Sequence, residues 1–178
     1  IEFNNAPPQE ISFNIVAANG NDGIRGVVPS GSAPVLISAN TIVANQRDGM
    51  ELWYFADLVQ IEKTVLAFNG DLGLRCGRPY DRCPTLSCSN IYGNSEDWSP
   101  NIAEQVDLRG NFSADPCFCD FAGQDYSTCS NSWCLPGRHP WGCDDLVGAL
   151  GAGCGECECG GVVKTESSTW GSLKSLYR

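Results

Sequence analysis

Eleven cysteines carry most of the chemistry this sequence can offer, and none precedes residue 76. They are Cys76, Cys83, Cys88, Cys117, Cys119, Cys129, Cys134, Cys143, Cys154, Cys157 and Cys159. Such a run suits either thiolate metal ligation or disulfide formation. Zinc sites ask for Cys-x2-4-Cys pairs a dozen or more residues apart, often completed by histidine. Only Cys154-x2-Cys157 has that form, and His139 is the single histidine. The spacing therefore predicts disulfides, with no metal and no cofactor. Connectivity is not readable from spacing, although Cys117 and Cys119 are expected to bond elsewhere rather than to each other. An odd count leaves one cysteine over, either buried or joined to a second chain.

Catalysis finds little support. Any arrangement built on histidine must use His139, and its neighbourhood, Leu135 to Gly142, holds no serine nucleophile. A two-carboxylate hydrolase needs no histidine. Among Asp57, Glu62, Glu96, Asp97, Asp144 and Asp145, however, no pair stands out from solvated or capping residues. The turns Asn19-Gly20-Asn21-Asp22-Gly23 and Asn69-Gly70-Asp71 offer oxygens without the ligand spacing of a calcium loop. Trp98, Trp133 and Trp141 lie in polar loops rich in Gly and Pro. Two readings stand for them: a surface that grips sugars or proteins, or a small core packed around the disulfides. Asn111-Phe112-Ser113 is a possible N-glycosylation sequon at Asn111.

The run Cys76 to Cys129 resembles the six-cysteine spacing of epidermal-growth-factor-like modules, down to its Cys117-x-Cys119-x9-Cys129 ending. It departs from them in the 28 residues before Cys117, where that family has a short gap. Cys154-Gly155-Glu156-Cys157-Glu158-Cys159 is similar to the Cys-x2-Cys-x-Cys of von Willebrand type C modules, whose later cysteines are missing here. No functional residue is carried over from either resemblance; both imply an extracellular setting.

Composition agrees with that setting. Charged residues make up only 18 % of the 178, against a usual quarter, and Asn, Ser, Gly and Thr take their place. With 21 acidic and 11 basic side chains the net charge of -10 repels phosphate backbones and anionic lipid, so nucleic acid is not an expected partner. No run approaches the roughly 18 apolar residues of a membrane span, so no membrane insertion is expected. The chain opens on Ile1 without a charged-then-apolar leader, which fits a cleaved or omitted signal.

The elements that must hold these residues read as α+β. Residues 1–10, with Pro7-Pro8, are expected to be an extended arm. Ile11, Phe13 and Ile15 alternate with polar residues, and 24–28 and 35–43 are β-branched runs, so the body begins as a small antiparallel sheet. Met50, Tyr54, Leu58, Ile61, Val65 and Phe68 recur at helical spacing after Asp48, which predicts one long helix over about residues 49–68. A hairpin turning near Ala56-Asp57 is the rival, since the same stretch is rich in strand formers. Short helices are expected over 99–108, over 144–150 and, as an amphipathic stripe packed on the body, over 168–178. No internal repeat is evident. The chain thus divides into a cysteine-free body (1–75), a disulfide-rich cap (76–160) and a C-terminal segment (161–178). The resulting expectation is a secreted or cell-surface structural or interaction protein, a candidate for self-assembly into a fibre, appendage or surface layer. Its partners would be further copies of itself or an extracellular protein or glycan. The alternative is a secreted effector or a small carbohydrate-active protein.

Overall fold

The computed structural model describes residues 1–4, 9–77, 82–139 and 142–160. Its strands recur with the chain. β1 (Glu2–Asn4), β2 (Gln9–Ser12) and β3 (Ile15–Ala17) make a first turn; β4 (Ile24–Val28), β5 (Val35–Ser38) and β6 (Thr41–Val43) make a second. β7 (Met50–Tyr54), β8 (Val59–Glu62) and β9 (Val65–Ala67) form the third, and β10 (Leu74–Arg75), β11 (Thr85–Ser87) and β12 (Asn90–Tyr92) the fourth. Equivalent strands of successive turns pair in parallel, so three sheets run β1-β4-β7-β10, β2-β5-β8-β11 and β3-β6-β9-β12. The product is a β-solenoid.

Each strand sends one or two apolar side chains inward, and the register stacks them. Ile24, Met50 and Leu74 align across the first sheet. Ile11, Ile37, Ile61 and Leu86 align across the second, and Val16, Ile42, Leu66 and Ile91 across the third. All but Ile11 and Val16 are wholly buried, and both of those pack on the same cluster. Burying a side chain of this size contributes about 1.5–3 kcal/mol. Gly26 sits in register between Phe3 and Leu52, and a Cβ there would lie 2.2 Å from the Phe3 ring, so the missing side chain is what admits that ring.

The corners are built from asparagine and its relatives. In the chain between second and third sheets, Phe13, Ala39, Lys63 and Cys88 take positive φ and precede Asn14, Asn40, Thr64 and Ser89. After the third sheet, Ala18, Ala44, Phe68 and Gly93 do the same before Asn19, Asn45, Asn69 and Asn94. A left-handed L-residue costs roughly 1–2 kcal/mol. Ladders of hydrogen bonds offset it: the backbone N–H of each corner residue donates to the side-chain oxygen one turn later. Asn14 donates to Asn40 (3.0 Å), Asn40 to Thr64 (3.4 Å), Thr64 to Ser89 (3.3 Å) and Ser89 to Asn111 (3.1 Å). The second ladder runs Asn19, Asn45, Asn69, Asn94 with steps of 26, 24 and 25 residues. These steps are the repeat that hydrophobic patterning did not reveal.

Several expectations are overturned, the α+β class first: the described residues are nearly all β, with no helix beyond two 3-10 turns. The body's sheets are parallel rather than antiparallel, because each turn signal leads into the next sheet instead of folding back on its own. Residues 49–68 hold no helix; they are β7, a single 3-10 turn at Ala56–Leu58, β8 and β9. Their helical spacing is the sum of three short alternating strands and two corners, and their β-branched and aromatic residues follow strand propensity. Of the short helices expected downstream, only a 3-10 turn at Ala103–Gln105 forms, and 144–150 is irregular. The stripe at 168–178 lies outside the described residues. Residues Glu2–Asn4, expected in an extended arm, form β1 on the edge of the first sheet.

Beyond Phe112 the chain folds back over the outer face of the third sheet. Val65 and Ala67 of β9 cluster there with Phe112, Ala114, Cys134 and Val147, flanked by Phe68, Phe118 and Trp133. β13 (Phe118–Asp120) pairs antiparallel with β14 (Asp125–Cys129), and β15 (Ala152–Cys154) adds in parallel. Five disulfides join Cys76–Cys83, Cys88–Cys143, Cys117–Cys159, Cys119–Cys154 and Cys129–Cys157. Cys88–Cys143 ties a solenoid corner to this cover, reinforced by Lys63 against Asp145 at 2.6 Å and by Ala149 N–H donating to Thr41 Oγ1.

Candidate assembly interface

The two ends of the solenoid are built differently. At the last turn, the chain supplies side chains that close what the sheets leave open. Gln105 accepts from the Leu86 N–H at 2.9 Å and donates to the Pro84 carbonyl at 2.9 Å, which covers β11. The second ladder ends on the Asp97 carboxylate, which accepts the Asn94 backbone N–H at 2.8 Å, its side-chain amide at 2.9 Å and the Gly93 N–H at 3.1 Å. Asn111 ends the first ladder by donating to the Leu86 and Gln105 carbonyls. Ile102 and Phe112 are wholly buried against this end.

The first turn has no such closure among the described residues. β1, β2 and β3 are each the outermost strand of their sheet, so one side of each backbone ladder faces outward. Within the ladders every interior oxygen accepts from the turn before it. Asn14 Oδ1 and Asn19 Oδ1 stand where that donor is lacking among the described residues. Three large apolar side chains are exposed here: Phe13 at 75 %, Ile1 at 47 % and Ile15 at 44 %. Open edges of this kind are templates for pairing with another strand.

The cysteine-rich cover shows where the chemistry named from sequence ends up. Sulfurs of Cys119, Cys129 and Cys154 lie within 4.8 Å of one another because the Cys119–Cys154 and Cys129–Cys157 disulfides are neighbours. Both cysteines of the zinc-like Cys154-x2-Cys157 pair are thereby engaged. The eleventh cysteine is Cys134, wholly buried, receiving a contact from the Asn90 amide at 3.5 Å. Burial pushes its thiol up to about 11, so it is protonated and shielded at neutral pH. His139 packs edge-on against Phe112, with ring centroids 4.2 Å apart, and its Nδ1 accepts the Cys143 N–H. Burial lowers its pKa, against a smaller upward pull from a backbone bond at Gly110.

Of the tryptophans, Trp98 packs on the solenoid core and Trp133 on the outer cluster, so the two belong to different packing units; Trp141 lies outside the described residues. Asn111, the sequon residue, is wholly buried and spends its side chain on the ladder, which leaves no exposed amide for a glycan. The edge residues of the first turn carry no motif. Their signal was the recurrence of Asn14, Asn19, Asn40, Asn45, Asn69 and Asn94. Comparison of the chain with protein-family models, with curated proteins and with solved structures finds no match.

Proposed function

We propose that the protein is an extracellular structural subunit that associates with a second copy through the first turn of its solenoid. The observation that carries this reading is the contrast of ends among the described residues: strand edges and ladder oxygens find no partner there at the first turn, while the last is closed by its own side chains. Because Gln105, Asp97 and Asn111 occupy the last turn, head-to-tail stacking into a fibre meets no open acceptor among the described residues. Two first turns meeting about a two-fold axis satisfy each other, with strands pairing antiparallel across the junction. Phe13 and Ile15 would be covered in the process.

An extracellular setting is supported by the five disulfides, which persist in oxidising compartments. No helix among the described residues is long and apolar enough to cross a membrane. Light scattering coupled to size exclusion tests the proposal. The native chain is expected to run as a dimer that Phe13→Asp with Ile15→Lys converts to a folded monomer. A monomer at the highest attainable concentration overturns it.

A further inference from the structure

We infer that the outer face of the first sheet is a binding groove for an uncharged oligosaccharide lying along the solenoid axis. The register of this sheet places Glu2, Arg25, Glu51 and Arg75 in one row across four strands, a file of alternating charge. Neighbouring strands in a sheet stand about 4.8 Å apart, so the row offers an acceptor or donor at that interval. Three of its members, Arg25, Glu51 and Arg75, are held in place. Asp48, wholly buried, takes two bonds from Arg75, at Nε and at Nη2. Glu51 is only 4 % exposed and lies between Arg25 Nε at 3.1 Å and Arg75 Nε at 4.0 Å. The Arg25 contact is an ion pair off the line of its N–H, so Glu51 Oε2 accepts no hydrogen bond within the described residues.

Over the Glu51 and Arg75 end of this row lies a groove of about 730 Å³, lined among others by Arg47, Glu51, Trp53, Arg75, Glu96 and Asn101. That volume is in the range of small-ligand sites. A second depression of about 340 Å³ contains Arg25 and Val27, the register partners of Glu51 and Trp53, so the two lie end to end across successive turns. Two arginines and two glutamates cancel in the larger groove, which removes the advantage of a charged ligand. What remains is a fixed array of donors and acceptors beside one indole. Hydroxyl groups both donate and accept, and the ring faces of a sugar are apolar, so a neutral glycan chain matches each feature at once. Arg47, anchored by Asn21 at 3.1 Å, adds donors at the rim.

Titration calorimetry with cellohexaose, chitohexaose, laminarihexaose and xylohexaose, and with polygalacturonate as the charged comparison, tests this on the whole chain. At least one neutral hexasaccharide is expected to bind. Trp53→Ala should weaken it by about tenfold, as loss of a central tryptophan does at interfaces. Arg47→Ala with Glu96→Gln, both at exposed positions, provides a second variant if Trp53→Ala fails to fold, and should also weaken binding. Phe13→Asp with Ile15→Lys should leave it unchanged, which separates the groove from the assembly edge. Silence of all four neutral sugars, binding of polygalacturonate alone, or full binding by both groove variants overturns the inference.

Discussion

The first and last turns of this solenoid face the same problem and meet it with different means. A parallel sheet ends in a row of backbone groups and, here, in asparagine ladders whose last rung has no successor. At the last turn Gln105, Asp97 and Asn111 answer those groups one by one, and Ile102 covers the apolar interior. At the first turn the equivalent groups face outward beside exposed Phe13 and Ile15. Closure, then, is a property of particular side chains and not of the repeat.

The comparison breaks most readily at Ile102. Truncation to alanine should cost about 2–5 kcal/mol, the range for a wholly buried aliphatic, whereas Ile15→Ala should stay within about 0.5 kcal/mol when unfolding is followed at concentrations too low for the dimer. Chemical denaturation of both variants reads the difference, and equal losses would erase the distinction between ends. Next in size is the Cys88–Cys143 link, which holds the cover over the third sheet. Replacing both cysteines with serine should cost about 2–4 kcal/mol in thermal or chemical unfolding.

The ladders sharpen the contrast further. Asn45→Ala removes an acceptor for the Asn19 N–H and amide and a donor to the Val16 carbonyl, all near the buried middle of a ladder. Leaving such groups without partners should cost about 1–3 kcal/mol. Asn19→Ala, at the exposed start, should cost well under half of that in the same urea titration. The smallest effect concerns His139 at the closed end. Its folded pKa lies below the ordinary 6.5, so the unfolded chain binds the proton more readily. Its contribution is present above pH 6.5 and is lost as pH falls from there through the lowered folded value. His139→Gln should flatten that part of a stability-against-pH profile.

Strand-forming stretches were legible where β-branched residues cluster, as at Ile24 to Val28, whereas the alternation of Ile11, Phe13 and Ile15 spans a corner between two sheets. Parallel pairing was not legible, since a strand of four residues alternates identically whichever way its neighbour runs. The period was written in the asparagines, but single residues every 24 to 26 positions are faint beside the degenerate apolar runs between them.

By itself, the sequence determined that the cysteines would cross-link and that turns would fall at Asn19 to Gly23 and Pro29 to Ser32. These follow from local chemistry, which needs no partner to be named. Only the tertiary structure decided which cysteines meet, that Cys134 is the one left over, that residues 49–68 lie flat as strands, and that Arg25, Glu51 and Arg75 share a row. Each depends on groups about 25 residues or more apart being stacked by a common register, and register arises from the packing of all turns together.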